Sequence, residues 1–170
     1  MRNIEIKAII NDYNEICKRA EKLSGSCGKL IEQDDTFYNV HHGRMKMRFT
    51  DSTATLVRYS RDTETGPKLS DYDLLSFNEI TGKKLDSMLV ESLGVRGRVV
   101  KKRMLFMVGQ TRVHIDRVKD LGDFMELEVV LRPEQTVQEG KKIAQCLQKE
   151  LGVEDECLID CAYVDLLDCV

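Results

Sequence analysis

The chain has 170 residues, 42% hydrophobic and 32% charged, a balance that suits one domain, 1–170, with a substantial core. Its net charge of −3 argues against a globally basic nucleic-acid binder. Its six cysteines include no CxxC pair and no ligand-like Cys/His spacing, which argues against a zinc module. No apolar run reaches membrane length and no secretory or transit pattern is legible, so a reduced, cytoplasmic setting is expected.

Residues 2–9 alternate in character and predict an opening strand. Asn11-Asp12 then introduces a helix over 12–24, with Ile16, Ala20 and Leu23 as its apolar stripe and Ser24-Gly25 as its stop. Ile31, Phe37, Tyr38 and Val40 suggest a strand over 30–40. His41-His42-Gly43 reads as a turn before strand 44–50, and Asp51-Ser52 turns into strand 54–61. Residues 62–67 form a polar loop, 71–80 a further strand, and 83–93 a helix ended by Gly94. A meander follows: strands 97–107, 111–118 and 124–131, with turns at Gly109-Gln110 and Leu121-Gly122-Asp123. Helix 136–150 comes after Pro133, and 158–167 can add a last strand. The expected fold class is α+β, dominated by antiparallel strands.

Six short stretches place polar or charged side chains on every second residue: Asn3-Glu5-Lys7, Arg44-Lys46-Arg48, Tyr59-Arg61, Lys101-Arg103, Arg112-His114-Asp116 and Glu126-Glu128. Most of the skipped positions are apolar, among them Ile4, Ile6, Met45, Met47, Val113, Ile115 and Leu127. Because successive side chains on a strand point to opposite faces, each stretch reads as a strand with one ionic and one apolar face. Two arrangements satisfy this periodicity. The ionic faces can meet solvent around an ordinary core, or the sheet can close so that they line a lumen. Three features favour the lumen. Charges are segregated by strand, arginine is abundant where bidentate grip on phosphate would be needed, and Glu126 and Glu128 share a face with Asp116 on the preceding strand.

Such a lumen suits a triphosphate and its metal ions. Lys46, Arg48, Arg61, Lys101, Arg103 and Arg112 can form the ring of cations that burying several phosphate charges requires. Glu5, Asp116, Glu126 and Glu128 can hold Mg²⁺ or Mn²⁺. Lys7 shares the face of Glu5; neighbouring cations would lower its pKa toward a proton-transfer role, the plainer alternative being a phosphate clamp. His114 has lumen parity and can meet a ligand or Asp116, or only fill space. His41 and His42 are expected in solvent, Arg58 and Lys102 outside, and Arg44 at a strand entrance.

These residues resemble the CYTH superfamily, the triphosphate tunnel metalloenzymes, which include class IV adenylate cyclases and thiamine triphosphatases. The resemblance runs through Asn3-Ile4-Glu5-Ile6-Lys7, Gly43-Arg44-Met45-Lys46-Met47-Arg48, Tyr59-Ser60-Arg61 and Lys101-Lys102-Arg103. It continues through Thr111-Arg112-Val113-His114-Ile115-Asp116, Phe124-Met125-Glu126-Leu127-Glu128 and Tyr163-Val164-Asp165-Leu166-Leu167. It implies a closed eight-stranded antiparallel tunnel that binds a triphosphate and one or two divalent cations. On this likeness Glu5 and Lys7 match the second Glu and the Lys of an ExExK signature, whose first Glu is Asn3 here. Glu126, Glu128 and Asp116 match acidic metal ligands, and the six basic residues match phosphate-binding positions.

The leading functional expectation is a metal-dependent hydrolase of a small triphosphate, inorganic triphosphate or thiamine triphosphate. One rival is a class IV adenylate cyclase that converts ATP to cyclic AMP and pyrophosphate. The other is a low-turnover triphosphate- or polyphosphate-binding module, motivated by Asn3. The expected partner is the small triphosphate alone, with no nucleic-acid polymer and no membrane, in a monomer or homodimer.

Overall fold

A computed structural model of the chain describes residues 2–61 and 67–168. Eight strands carry the fold: β1 (Arg2–Ile9), β2 (Lys29–Tyr38), β3 (Arg44–Thr50), β4 (Thr53–Arg61), β5 (Lys68–Asn78), β6 (Val95–Val108), β7 (Thr111–Val118) and β8 (Gly122–Val130). The helices are α1 (Tyr13–Ser24), α2 (Glu79–Leu93), α3 (Val137–Glu150) and the short α4 (Tyr163–Leu167). The loop expected at 62–67 lies, apart from Pro67, outside the described residues. No helix among the described residues is long and apolar enough to cross a membrane.

All strand pairings are antiparallel, and their order, β1-β5-β4-β3-β2-β6-β7-β8, returns to its start because β1 pairs with both β5 and β8. The ring is uneven. β1 meets β8 from Asn3↔Val130 to Ile9↔Phe124, but meets β5 only from Arg2↔Asp71 to Glu5↔Lys68. Beyond Asp71, β5 has no strand partner on its β1 side among the described residues. The fully closed tunnel expected from the sequence is therefore corrected to a ring of pairings with one open flank.

The skipped apolar residues face outward and are covered by helices. Ile4, Ile6, Val113, Ile115, Met125, Leu127 and Val129 form one core with Ile16 and Ala20 of α1 and Ala144 and Leu147 of α3. Met47, Ala54 and Tyr38 form a second, packed on the α2 side with Leu85 and Leu89. The amphipathic helices thus give the outer faces of the strands their dry partner. Asp12 starts α1 by accepting from the Glu15 amide, and Gly25 ends it in the left-handed region. Lys102 pairs with Glu32, and Arg58 with Asp73, on the exposed outer surface.

The expected last strand over 158–167 is replaced. Leu158 bridges Ala8, and the Ile159 amide donates to the Lys7 carbonyl at 2.9 Å, on the part of β1 that β5 leaves unpaired. The chain then coils into α4, whose first turn is fixed by the Asp165 carboxylate accepting from the Ala162 amide at 3.0 Å. Tyr163 and Val164 of α4 are buried inside one end of the barrel with the inward-facing Phe37, Val57, Tyr59, Val99, Val118 and Phe124. Glycine at position 97 permits this seat: a Cβ there would lie 2.7 Å from Val164 Cγ2. Asp165 also takes a bidentate pair from Arg44, at 3.0 and 2.8 Å, and a bond from Arg96.

Candidate functional site

The inward faces of the strands enclose a cavity of about 170 Å³. Among the described residues six cations line it, Lys7, Lys46, Arg48, Lys101, Arg103 and Arg112, together with four carboxylates, Glu5, Asp35, Glu126 and Glu128. Strand parity explains the convergence. Positions 3, 5 and 7 of β1, 46 and 48 of β3, 101 and 103 of β6, and 126 and 128 of β8 share the inner face. Of the residues assigned in the sequence to phosphate or metal, all line this cavity except two. Asp116 lies behind it, and Arg61 ends β4, its side chain lying outside the described residues.

Two buried carboxylates organise the cations. Asp35 on β2 accepts from Lys46 Nζ at 2.6 Å and from Arg48 Nε and Nη2, each at 2.7 Å. Burial alone would raise its pKa, but the charges of Arg48 and Lys46 hold it well below the usual carboxylate range. Asp116, wholly buried, accepts from Arg103 Nε at 2.6 Å and Nη2 at 2.5 Å, from Lys101 at 3.1 Å and from the Tyr163 hydroxyl at 2.9 Å. Its carboxyl is likewise held low against burial, chiefly by Arg103 and Lys101. Both anions aim their partners' remaining N–H groups and positive charge at the cavity.

Glu126 is gripped at 2.9 Å by Lys7 and by Arg103, whose charges keep it ionised despite burial. Glu128 meets Arg112 at 3.3 Å. Glu5 lies directly across the β1–β8 register from Glu128 and accepts from the Tyr72 hydroxyl. The Lys7 ammonium sits 4.0 Å from the centre of the Tyr163 ring, and that of Lys101 4.9 Å. Burial, and the neighbouring Arg48 after it, pull Lys46 down to about 7, the range of a proton carrier near neutral pH.

His114 stands beside the two glutamates of β8. Its Nδ1 is 3.8 Å from Glu128 Oε1 and 3.9 Å from Glu126 Oε2, and it has no hydrogen-bond partner although it is buried. Burial and Arg103 pull the imidazole down to about 4, so it is neutral at physiological pH. One donor atom from each of His114, Glu126 and Glu128 falls within 4.8 Å of the others, so the group fits a divalent ion.

Asp35, Tyr72 and Tyr163 were missed in the sequence. Asp35 shares its face with Ile31 and Phe37, so no ionic stripe marked β2. Tyr163 sat in a segment read as strand, and only its packing inside the barrel reveals it. Arg44 does not reach the cavity and is committed to Asp165. His41 and His42 are exposed in the β2–β3 connection.

The fold recurs in solved structures. The PH1012 protein of Pyrococcus horikoshii matches with a TM-score of 0.80 at 21% identity, over 96% of this chain and 98% of its own. A conserved hypothetical protein of Pyrococcus furiosus matches with a TM-score of 0.79 at 18% identity, over 96% and 99%. A Vibrio parahaemolyticus protein bearing the provisional name adenylate cyclase matches with a TM-score of 0.76 at 13% identity, over 98% and 97%. At such identities the likeness is one of fold. No curated protein sequence matches the chain significantly. The CYTH domain model, however, matches residues 1–163, so with its inward ionic strands and its eight-stranded ring the chain belongs to the CYTH domain family.

Proposed function

We propose that the chain is a metal-dependent hydrolase of a small triphosphate, inorganic triphosphate or thiamine triphosphate. One observation carries this reading: among the described residues, six cations and four carboxylates share the wall of one cavity. Such an excess of buried positive charge is costly without an anion, and a triphosphate supplies several negative charges in a short chain. Lys46, Arg48, Lys101, Arg103 and Arg112 grip phosphate oxygens, and Arg61 is assigned to the same task by its place at the end of β4. Glu126, Glu128 and Glu5 are the residues that would hold Mg²⁺ or Mn²⁺, which when bound neutralises phosphoryl charge and lowers the pKa of a water. Asp116, surrounded by Lys101, Arg103 and Tyr163, acts as the counter-ion that orients those cations. Lys7 is held between Glu126 and the Tyr163 ring, where it can clamp a phosphate oxygen or pass a proton. Lys46 is the second ammonium suited to proton transfer.

Size favours the small substrate. The cavity, about 170 Å³, is below the roughly 300–1,000 Å³ of pockets that enclose drug-sized ligands. The cyclase reading draws on one separate observation. Leu74 lines the cavity on the unpaired half of β5 yet is 51% exposed, an apolar surface at the opening on which a base could rest. In that case the ATP 3′-hydroxyl attacks the α-phosphorus and pyrophosphate leaves. Incubating the protein with triphosphate, thiamine triphosphate and ATP, each with Mg²⁺ or Mn²⁺, separates the readings by their products. Orthophosphate supports hydrolysis, and cyclic AMP with pyrophosphate supports cyclisation. Tight binding with neither product would overturn both in favour of a binding module.

A further inference from the structure

The sequence left His114 between two roles, and nothing in the phosphate-gripping reading uses it. The β7–β8 register sets it directly opposite Glu126, and its side chain is 5% exposed. Its Nδ1 is buried without a hydrogen-bond partner, a state that ordinarily destabilises a fold. The nearest charged oxygens, at 3.8 and 3.9 Å, are too distant for a hydrogen bond. They are not too distant for a shared ion. Two donors each about 2.0–2.2 Å from a metal can lie up to roughly 4.4 Å apart.

We infer that His114 supplies a nitrogen ligand to a divalent ion held by Glu126 and Glu128, so that this chain prefers Mn²⁺ or another first-row transition ion to Mg²⁺. The inference rests on the metal-dependent reading above and adds the identity of the ion. Mg²⁺ takes oxygen donors and retains its waters, whereas imidazole nitrogen suits the transition ions. The arrangement also links the ion to the cations. Glu126 Oε2, the oxygen 3.9 Å from His114, is the one that Arg103 Nη2 holds. An ion taking that oxygen would leave Arg103 anchored through its two bonds to Asp116 and free the displaced N–H for a phosphate oxygen.

The test uses Mn²⁺ alone as the probe. Pulsed electron paramagnetic resonance of Mn²⁺ bound to the whole protein is expected to show ¹⁴N modulation from a coordinated imidazole. Growth on ¹⁵N-histidine should convert that signal to the ¹⁵N pattern. The signal should persist in a His41→Gln/His42→Gln double variant and vanish in His114→Gln. In His114→Gln the ratio of Mn²⁺ to Mg²⁺ affinity should fall roughly 10–100-fold. Bound Mn²⁺ without nitrogen modulation, or modulation that survives His114→Gln, overturns the inference while leaving a carboxylate-held metal intact. Failure of the wild-type protein to bind Mn²⁺ at all overturns both the inference and the metal-dependent reading. If His114→Gln does not fold, the isotope-labelled wild type and the double variant decide the question.

Discussion

The two ends of the barrel interior are built from the same strands yet differ in kind. On β2 the inward face passes from Asp35 to Phe37, on β6 from Lys101 back to Val99, on β7 from Asp116 to Val118, and on β8 from Glu126 back to Phe124. Within two residues each strand changes from ionic to apolar. The apolar layer closes over Tyr163 and Val164 of α4 as an ordinary core, and the ionic layer forms the charged wall of the cavity, which Phe37, Val57, Tyr59, Val99 and Tyr163 bound on the apolar side. The alternatives of a charged lumen and a greasy centre are therefore stacked along one axis. The dry layer supplies burial that a ring of cations cannot, so stability and ligand binding are assigned to neighbouring layers.

That division can be broken by substitution. Phe124, packed on Tyr163 with ring centres 4.9 Å apart, belongs to the dry layer. Phe124→Ala should cost about 3–5 kcal/mol of stability in denaturant titration. The folded fraction should retain triphosphate affinity, and a matching loss of affinity would show that the layers are not separable. Glu126→Gln lies across the boundary. It should lower metal-dependent turnover by on the order of 10²–10³-fold or more, with the circular dichroism of the fold retained. An unchanged rate would remove Glu126 from the metal site.

Tyr163 belongs to both layers, its ring in the dry one and its hydroxyl on Asp116. Tyr163→Phe deletes only the bond to the carboxylate, and about 1.5–3 kcal/mol of stability should go with it. Loss of affinity should be minor, because the ring stays under Lys7. The smallest effect is a proton. Lys46 titrates near 7 in the free protein, whereas an unfolded lysine titrates at 10.5. Between these values the unfolded chain holds the extra proton, so this group's unfavourable contribution to stability fades as pH rises from 7. A bound triphosphate reverses the effect by favouring the charged ammonium. Calorimetry at pH 8 in buffers of different ionisation enthalpy should therefore show uptake of close to one proton. Above pH 7 affinity should fall by about tenfold per pH unit. No proton uptake would remove Lys46 from contact with phosphate.

What was legible in the sequence was whatever depends on a period of two. The stripes at Glu5-Lys7, Lys46-Arg48, Lys101-Arg103 and Glu126-Glu128 announce their strand and their shared face, and the intervening apolar residues announce the helices that cover them. Asp35 was not legible, because its face also carries Ile31 and Phe37 as β2 crosses from one layer to the other. The tail was not legible either. Tyr163-Val164-Asp165-Leu166-Leu167 is too short to declare helix or strand, and its form is decided by the space beside Gly97 and by Arg44 and Arg96 reaching for Asp165. The open flank beside β5 depends on where two strands distant in sequence cease to pair, and no local pattern encodes that.

The seat of α4 has a consequence for traffic. Tyr163 stops the cavity at that end. If the site takes a triphosphate as proposed, a longer phosphate chain enters it by one tip and is not threaded through. On that reading product leaves on the side away from Tyr163 and competes there with incoming substrate.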